Sequence, residues 1–135
     1  MGQIHVQALE SSGKATIKLV YDENELPISI NYKVTENIDK IINNPEINAI
    51  FICTPNYLNK PLTVQALEAG KHVFCEKPPA FNSREVEEII SVEKKSGKIL
   101  MYGFNHRHHE SIRYMRKLID SKEFAGDGAG GTDRY

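Results

Sequence analysis

Two short apolar runs, one helix apart, constrain the fold of this chain more than any other feature. Ala49–Cys53 and Lys71–Cys75 have the length and apolar content of buried strands, and the segment between them can hold one helix. This is the pattern of parallel strands joined by a crossover helix. Each run ends in a polar turn that contains proline, Thr54-Pro55-Asn56 and Glu76-Lys77-Pro78. Ligands of an open parallel sheet bind outside the carboxyl ends of its strands, so both turns are candidate site residues.

The rest of the chain alternates between helical and strand patterns, which predicts an α/β fold with a doubly wound parallel sheet. Asn82 and Glu85 form a variant of the capping box, and Gly70 and Gly97 stand where helices should stop. Pro61 is expected in the first turn of its helix, where its missing N–H costs nothing. The predicted helices cover residues 3–12, 38–44, 61–69, 83–96 and 110–121, and the further strands cover residues 15–21, 28–32 and 98–103.

Composition excludes several classes of protein. The 135 residues suit one domain, and 40% hydrophobic with 26% charged residues is typical of a folded globular chain rather than a disordered one. A net charge of −1 without a basic stripe argues against a nucleic-acid partner. The apolar runs are far shorter than the ~20 residues of a membrane helix, and no signal-peptide pattern opens the chain, so we expect no membrane partner and a cytoplasmic location. Cys53 and Cys75 are expected to be reduced core thiols, with a disulfide or redox role as the alternative.

Three segments in succession resemble a known family. They are Ile52–Asn56, Ala66–Val73 and Cys75–Pro78, and Gly103–Arg107 adds a fourth. On these residues the chain resembles the Gfo/Idh/MocA oxidoreductases, which include glucose–fructose oxidoreductase and inositol dehydrogenase. The resemblance implies a Rossmann-type NAD(P)-binding domain at residues 1–124, and the glycine-rich tail at residues 125–135 is expected to be disordered. It also implies hydride transfer between a nicotinamide cofactor and a sugar, cyclitol or similar polyol.

The resemblance implies roles for individual residues. Lys77 is the expected catalytic residue, since an ammonium near the substrate hydroxyl would stabilise oxyanion character and help to relay a proton. A carboxylate at Asp22 can accept hydrogen bonds from the adenosine ribose and would repel a 2′-phosphate, which favours NAD over NADP as the cofactor. Asn105, His106 and Arg107 are expected next to the substrate. The expected cofactor-binding residues are Gly2, Gln3, Ile4, Asp22, Thr54, Pro55, Asn56, Glu76 and Lys77.

Simpler explanations stay open for several of these residues. Thr54 and Asn56 suit a helix N-cap and turn, and Asp22 suits a capped loop. Glu76 could hold the Lys77 ammonium, or the two could form an exposed ion pair worth ~0–1 kcal/mol.

The histidines are not expected to be metal ligands. His5 is expected to be a packed residue of the first helix. The segment from Asn105 to Arg107 could instead open a solvated helix. His106, His108 and His109 do not predict a metal site, because no cysteine or carboxylate set at zinc spacing accompanies them.

Compared with the family, the chain lacks the first strand, the leading glycines of its phosphate-binding turn and the C-terminal α/β domain with the catalytic histidine. In the usual strand order 3-2-1-4-5-6, the second and fourth strands would then lose their shared neighbour. We therefore expect a fragment that is poorly stable and inactive alone, from a parent enzyme that is a homo-oligomer. Two other functions stay open, a non-catalytic nucleotide-binding or regulatory module and a degenerate fragment that serves only assembly.

Overall fold

A computed structural model describes residues 1–22 and 32–121 of the chain. The chain divides into two compact units, Met1–Gly103 and Phe104–Tyr135, which are described separately. In the first unit, the helices are α1 (Gly2–Ser12), α2 (Asp39–Ile42), α3 (Asn56–Glu68) and α4 (Ser83–Ser96), and the strands are β1 (Val20–Tyr21), β2 (Val34–Thr35), β3 (Ala49–Ile52), β4 (His72–Cys75) and β5 (Leu100–Tyr102).

All strands of the first unit pair in parallel, which gives the Rossmann-like α/β fold predicted from the sequence. β1 pairs with β2, and β3, β4 and β5 form a second sheet in that order. In the described part of the chain, β1 and β3 therefore belong to different sheets, as expected for second and fourth strands without a shared neighbour. The register of the larger sheet aligns Ile52, Cys75 and Tyr102 in one row and Phe51, Phe74 and Met101 in the next.

The larger sheet has two faces of different character, because side chains alternate along each strand. What we call the inner face carries buried or half-buried residues that pack with α2 and α3, namely Ile50, Ile52, Val73, Cys75, Leu100 and Tyr102. What we call the outer face carries Phe51, Phe74 and Met101. Phe51 is 40% exposed and Met101 is 53% exposed, so the outer face is only partly covered.

Helix α3 is the main support of the inner face. It packs on β3, β4 and α4, and the residues that it buries are Asn59, Thr63, Ala66 and Leu67. Their spacing places them on one side of the helix. Two of the four are polar, so α3 brings hydrogen-bonding groups as well as apolar surface to the carboxyl end of β4.

Helix α4 has the ends that its sequence predicts. The Asn82 side chain accepts a hydrogen bond from the Glu85 backbone N–H at 3.0 Å, and Gly97 ends the helix in a left-handed conformation with φ 63°. The Glu85 carboxylate reaches back to the Phe81 N–H at 2.9 Å, one residue before the position of the standard capping box. The buried side of the helix is narrow, since Ile89 is buried whereas Ile90 is exposed.

Three local predictions differ from the structure. Pro61 lies in the second turn of α3 rather than the first, because α3 begins at Asn56 to bring Asn59 into the interior. The predicted strand 15–21 is reduced to Val20–Tyr21, the only residues that pair with β2. β2 itself was not predicted, and residues 28–31 of the strand expected at 28–32 lie outside the described residues, as does the tail at 125–135.

The second unit, in its described part, holds a 3₁₀ turn at Asn105–His108 and the helix α5 (Glu110–Asp120). The apolar side chains of α5 share one side of the helix, as predicted, but Ile112, Met115 and Ile119 are all exposed. Among the described helices of the chain, none has the length and apolar character that crossing a lipid bilayer requires.

Candidate functional site

The carboxyl ends of β3 and β4 and the start of α1 lie together. His5, in the first turns of α1, places its Nε2 atom 2.8 Å from Oε1 of Glu76, the residue that follows β4. The Met1 amino group lies close enough to Cys53, after β3, to oppose the rise in the pKa of that thiol. The N-terminus of α1 therefore faces the strand ends from which both sequence-predicted turns begin.

Glu76 is a buried carboxylate, with 7% of its surface exposed. It lies against Gly103, where a Cβ atom would stand 3.1 Å from Oε2 of Glu76 and 3.2 Å from Oε1. A side chain at position 103 would therefore push the carboxylate away. His5 is held over the same strands by its ring, whose centroid is 4.9 Å from that of Phe74 and 5.9 Å from that of Phe51. This confirms that His5 is a packed residue and adds that it is the hydrogen-bond partner of Glu76.

Lys77 is exposed, and in the described residues its ammonium has no ion-pair partner. Glu76 pairs with His5 instead, so the ion pair between Glu76 and Lys77 considered from the sequence is not formed. The Lys77–Pro78 peptide bond is cis. The turn thus presents one cation to solvent, next to a carboxylate that is turned inward.

Asn59 is a site residue that the sequence analysis missed. Its side chain is fully buried, and Nδ2 donates to the backbone carbonyl of Glu76 at 3.1 Å and to that of Pro78 at 2.8 Å. The spacing of Asn59, Thr63 and Leu67 in the sequence places all three on one helical face. That pattern, with a polar residue in line with core residues, was the signal that could have revealed it.

The turn after β3 differs from the helix cap that was the simpler explanation. Pro55 occupies the N-cap position of α3 and no side chain caps the helix, so neither Thr54 nor Asn56 has this role. Asn56 is the exposed first residue of the helix. The Thr54 hydroxyl is buried and has no hydrogen-bond partner in the described residues. Buried hydroxyls usually have a partner, so this one is a candidate for contact with a ligand.

The two cysteines are free thiols whose pKa is raised by burial. For Cys53, desolvation and then the charge of Glu76 raise the pKa to about 11. For Cys75, desolvation raises the pKa to about 11, with smaller contributions from Cys53 and Glu76. The same cause raises the pKa of Tyr102 to about 12. Both thiols are therefore protonated at neutral pH and are poor nucleophiles.

The remaining predicted residues lie at separate places. Asp22 directly follows β1 and is half-buried. Asn105, His106 and Arg107 belong to the second unit, where they are exposed in the 3₁₀ turn. Within residues 1–22 and 32–121, no three or more His, Cys, Asp or Glu side chains are grouped so that they could hold a metal ion.

The N-terminus of α1 has the features that a pyrophosphate needs. Gly2, Gln3 and Ile4 form its first turn, which carries no acidic residue and no side-chain cap. A Cβ atom at Gly2 would meet nothing within 4 Å, so no described side chain crowds this position. The first N–H groups of a helix lack partners within it, and the helix dipole favours an anion there. Together with the orphaned Thr54 hydroxyl and the free Lys77 ammonium, these residues fit a dinucleotide.

Known proteins share sequence with most of this chain. The model of an oxidoreductase family with an NAD-binding Rossmann fold, Gfo/Idh/MocA, matches residues 1–104. An uncharacterized oxidoreductase of Bacillus subtilis, YrbE, is 31% identical over 91% of this chain and 38% of its own length. Myo-inositol 2-dehydrogenase of Thermotoga maritima is 27% identical over 90% of this chain and 38% of its own length.

Solved structures show the same fold. The crystal structure of myo-inositol 2-dehydrogenase from Lactobacillus plantarum superposes with a TM-score of 0.80 and 26% identity, over 92% of this chain and 39% of that one. The chain thus spans about two fifths of the length of these three proteins.

Proposed function

Because this chain belongs to the Gfo/Idh/MocA family of NAD-binding oxidoreductases, we propose that it forms the cofactor-binding part of a dehydrogenase of a sugar, cyclitol or similar polyol. The observation that carries the proposal is the meeting of three features at one edge of the sheet. The uncapped start of α1 faces the ends of β3 and β4, Glu76 is tied to α1 through His5, and Lys77 extends from the same turn with a free ammonium.

In this proposal each residue has a distinct role. The N–H groups of Gly2 and Gln3 bind the pyrophosphate, and Ile4 completes that turn. The hydroxyl of Thr54 and the amide of Asn56 bind the ribose and nicotinamide side, and Pro55 stiffens the turn between them. Glu76 fixes α1 to the end of β4 through His5 and thereby keeps the two halves of the site together.

Lys77 acts on the substrate. When bound, the nicotinamide accepts or returns a hydride. The Lys77 ammonium donates a hydrogen bond to the substrate oxygen, stabilises the negative charge that develops on it and helps to move its proton. Asn105, His106 and Arg107 are proposed to contact the substrate, because their exposed donors suit polyol hydroxyls.

The cofactor is proposed to be NAD rather than NADP. Asp22 stands at the end of β1, about 20 residues after Gly2, which is the position of the ribose-binding carboxylate in the dinucleotide fold. A carboxylate accepts hydrogen bonds from the 2′- and 3′-hydroxyls and repels a 2′-phosphate. The Asp22→Asn variant should therefore narrow the preference for NADH over NADPH.

These 135 residues are proposed to bind the cofactor without turning over a polyol. Glu76 is buried with His5 and the thiols of Cys53 and Cys75 stay protonated at neutral pH, so none of these three side chains is a free base. The chain also covers only 38% of the myo-inositol 2-dehydrogenase of Thermotoga maritima. Steady-state assays with a panel of polyols test this, and clear turnover by the chain would contradict it.

Cofactor binding is the direct test of the proposed function. NADH and ADP, which lacks both the nicotinamide and the ribose attached to it, are titrated into the full chain by isothermal calorimetry. Lys77→Met should weaken NADH binding about tenfold, since a hydrogen bond to a charged group contributes about 1.5–3 kcal/mol, and should leave ADP binding unchanged.

The control for Lys77 is Lys95→Met, which removes an exposed lysine in the last turn of α4 and should change neither affinity. Failure of the wild-type chain to bind NADH at millimolar concentration would overturn the proposed function.

A further inference from the structure

The backbone on either side of Lys77 is held by one buried amide. Asn59 Nδ2 donates to the carbonyl of Glu76 at 3.1 Å and to that of Pro78 at 2.8 Å, so its two hydrogens satisfy the residues directly before and after Lys77. Asn59 has no exposed surface and stands in α3, which packs firmly on β3 and β4. The contact therefore links the turn to the rigid part of the unit.

The orientation of the Asn59 amide is fixed by chemistry. The reversed amide would place Oδ1 against two carbonyl oxygens, which repel it, so Nδ2 must face the turn. Oδ1 is then buried without a partner in the described residues. An unpaired buried acceptor lowers the stability of the fold. The two hydrogen bonds that Nδ2 donates offset this loss.

The exposed side chain of Lys77 makes this backbone support important. Because no ion pair in the described residues restrains the Lys77 ammonium, its reach is set by the position of its own backbone. Glu76 does not restrain it, since the carboxylate is directed to His5. The carbonyl of Glu76 also accepts a hydrogen bond from the Cys75 thiol at 3.3 Å, whereas the two bonds from Asn59 join the residues on both sides of Lys77 to α3.

We propose that Asn59 is the positioning residue for Lys77, and that it sets the site's affinity for the nicotinamide end of the cofactor without touching the cofactor itself. The inference rests on the proposed function of Lys77. A chain that lacks this amide should keep its fold and its binding of the adenosine end, while the ammonium samples positions from which it cannot contact the nicotinamide ribose.

The test uses Asn59→Leu, which keeps the branched shape and heavy-atom number of the side chain but has no donor. The matched control is Thr63→Val, one turn further along the same buried face of α3. The measured quantity is the ratio of the dissociation constants for NADH and ADP. Asn59→Leu should raise this ratio at least fivefold, whereas Thr63→Val should leave it within twofold.

A double-mutant cycle separates positioning from general destabilisation. If Asn59 acts through Lys77, the double variant Asn59→Leu/Lys77→Met should bind NADH no more weakly than Lys77→Met alone. A purely structural role predicts that the two losses add. Additive losses, or an unchanged ratio in a folded Asn59→Leu chain, would overturn the inference.

A measurement on the wild-type chain covers the case in which Asn59→Leu does not fold. The two side-chain amide hydrogens of Asn59 should exchange with deuterium far more slowly than those of the exposed Asn82, and NADH should slow them further while ADP does not. Exchange of Asn59 at the rate of Asn82, or equal protection by both ligands, would overturn the inference. Wild-type chain that binds ADP but not NADH would refute the proposed function of Lys77 itself, whereas NADH binding with an unchanged ratio refutes only the role of Asn59.

Discussion

Helices α1 and α3 approach the same turn from opposite faces of the sheet, and they do so by different means. α3 covers the inner face with four buried residues and reaches the turn through a fully buried amide. α1 buries no residue and reaches the turn through a part-buried histidine that rests on two aromatic rings of the outer face.

The two sides of the sheet therefore have different tasks: the inner face stabilises the fold, and the outer face carries groups proposed to bind a ligand. Burial of apolar side chains supplies most of the free energy of folding, so the inner face should carry most of the stability of the first unit. The outer face and α1, which buries no residue, hold groups that we propose to meet the dinucleotide. The four experiments below probe this contrast, from the largest expected effect to the smallest.

Leu67→Ala should give the largest loss. Leu67 is 1% exposed in the core cluster, and removing a buried leucine side chain costs about 2–5 kcal/mol through lost burial and the cavity left behind. Ile4→Ala in α1 is the control, because Ile4 is 58% exposed and its loss should change the free energy of unfolding by less than about 0.5 kcal/mol. Urea unfolding measures both. Similar losses in the free energy of unfolding at the two positions would contradict the proposal that the inner face carries most of the stability.

Lys71→Met should cost about 1–3 kcal/mol, because it leaves two buried carbonyls without a donor. The Lys71 ammonium is buried and donates to the carbonyls of Asn44 at 2.7 Å and Ile47 at 2.8 Å, which fastens the loop before β3 to the start of β4. The exposed Lys95→Met variant should be nearly neutral in the same urea titration. An equally small effect at Lys71 would show that water replaces the lost donor.

His5→Ala should cost about 1 kcal/mol through the lost ring contacts and the loss of the partner of Glu76. Adding Glu76→Gln should recover part of the loss, because a neutral amide is less costly to leave buried than an unpaired carboxylate. Thermal unfolding of the single and double variants measures the coupling. If the double variant is less stable than His5→Ala, the hydrogen bond between His5 and Glu76 is not what places the carboxylate.

Alkaline pH should have the smallest effect. Burial raises the pKa of Cys53 and Cys75 to about 11 and that of Tyr102 to about 12, so the unfolded chain loses these protons first as the pH rises above about 9. Stability is therefore fully present below pH 9 and falls between about pH 9 and pH 12. Because Cys53 and Tyr102 keep part of their surface exposed, solvent screening should limit their contribution to the loss to about 1 kcal/mol.

The contribution of the two thiols to the loss of stability at alkaline pH is measured by comparing urea midpoints at pH 8 and pH 10.5. In the Cys53→Ser/Cys75→Ser variant the midpoint should depend less on pH than in the wild-type chain. An equal pH dependence of the urea midpoint in the two proteins would mean that the thiols are as accessible to solvent in the folded chain as in the unfolded chain.

The sequence predicted the elements whose signals are local. β3 and β4 are compact apolar runs, and the ends of α4 follow from Asn82 and Gly97, so each was found near its observed bounds. The strand at 15–21 was overestimated because a strand exists only where a neighbour pairs with it, and only Val20 and Tyr21 have one.

The contacts within the site could not be predicted in this way. The turn at Glu76 and Lys77 was predicted from its place after a strand, and the roles of its residues came from the resemblance, but its partner His5 is 71 residues away in the sequence. A periodic pattern of apolar residues cannot reveal a contact between residues so far apart in the sequence. Glutamate beside lysine suggested an ion pair, and the structure does not form it. Asn59 was missed because a helical pattern is judged by its apolar residues, and a polar residue among them is read as a defect.

The half-covered outer face has a practical consequence for anyone who purifies this chain. Phe51, Met101 and Ile99 leave apolar surface in contact with water, and surface of this kind promotes self-association as the protein is concentrated. Calorimetry at high protein concentration should therefore be preceded by light scattering across a dilution series, so that the heat of dissociating aggregates is not mistaken for the heat of ligand binding.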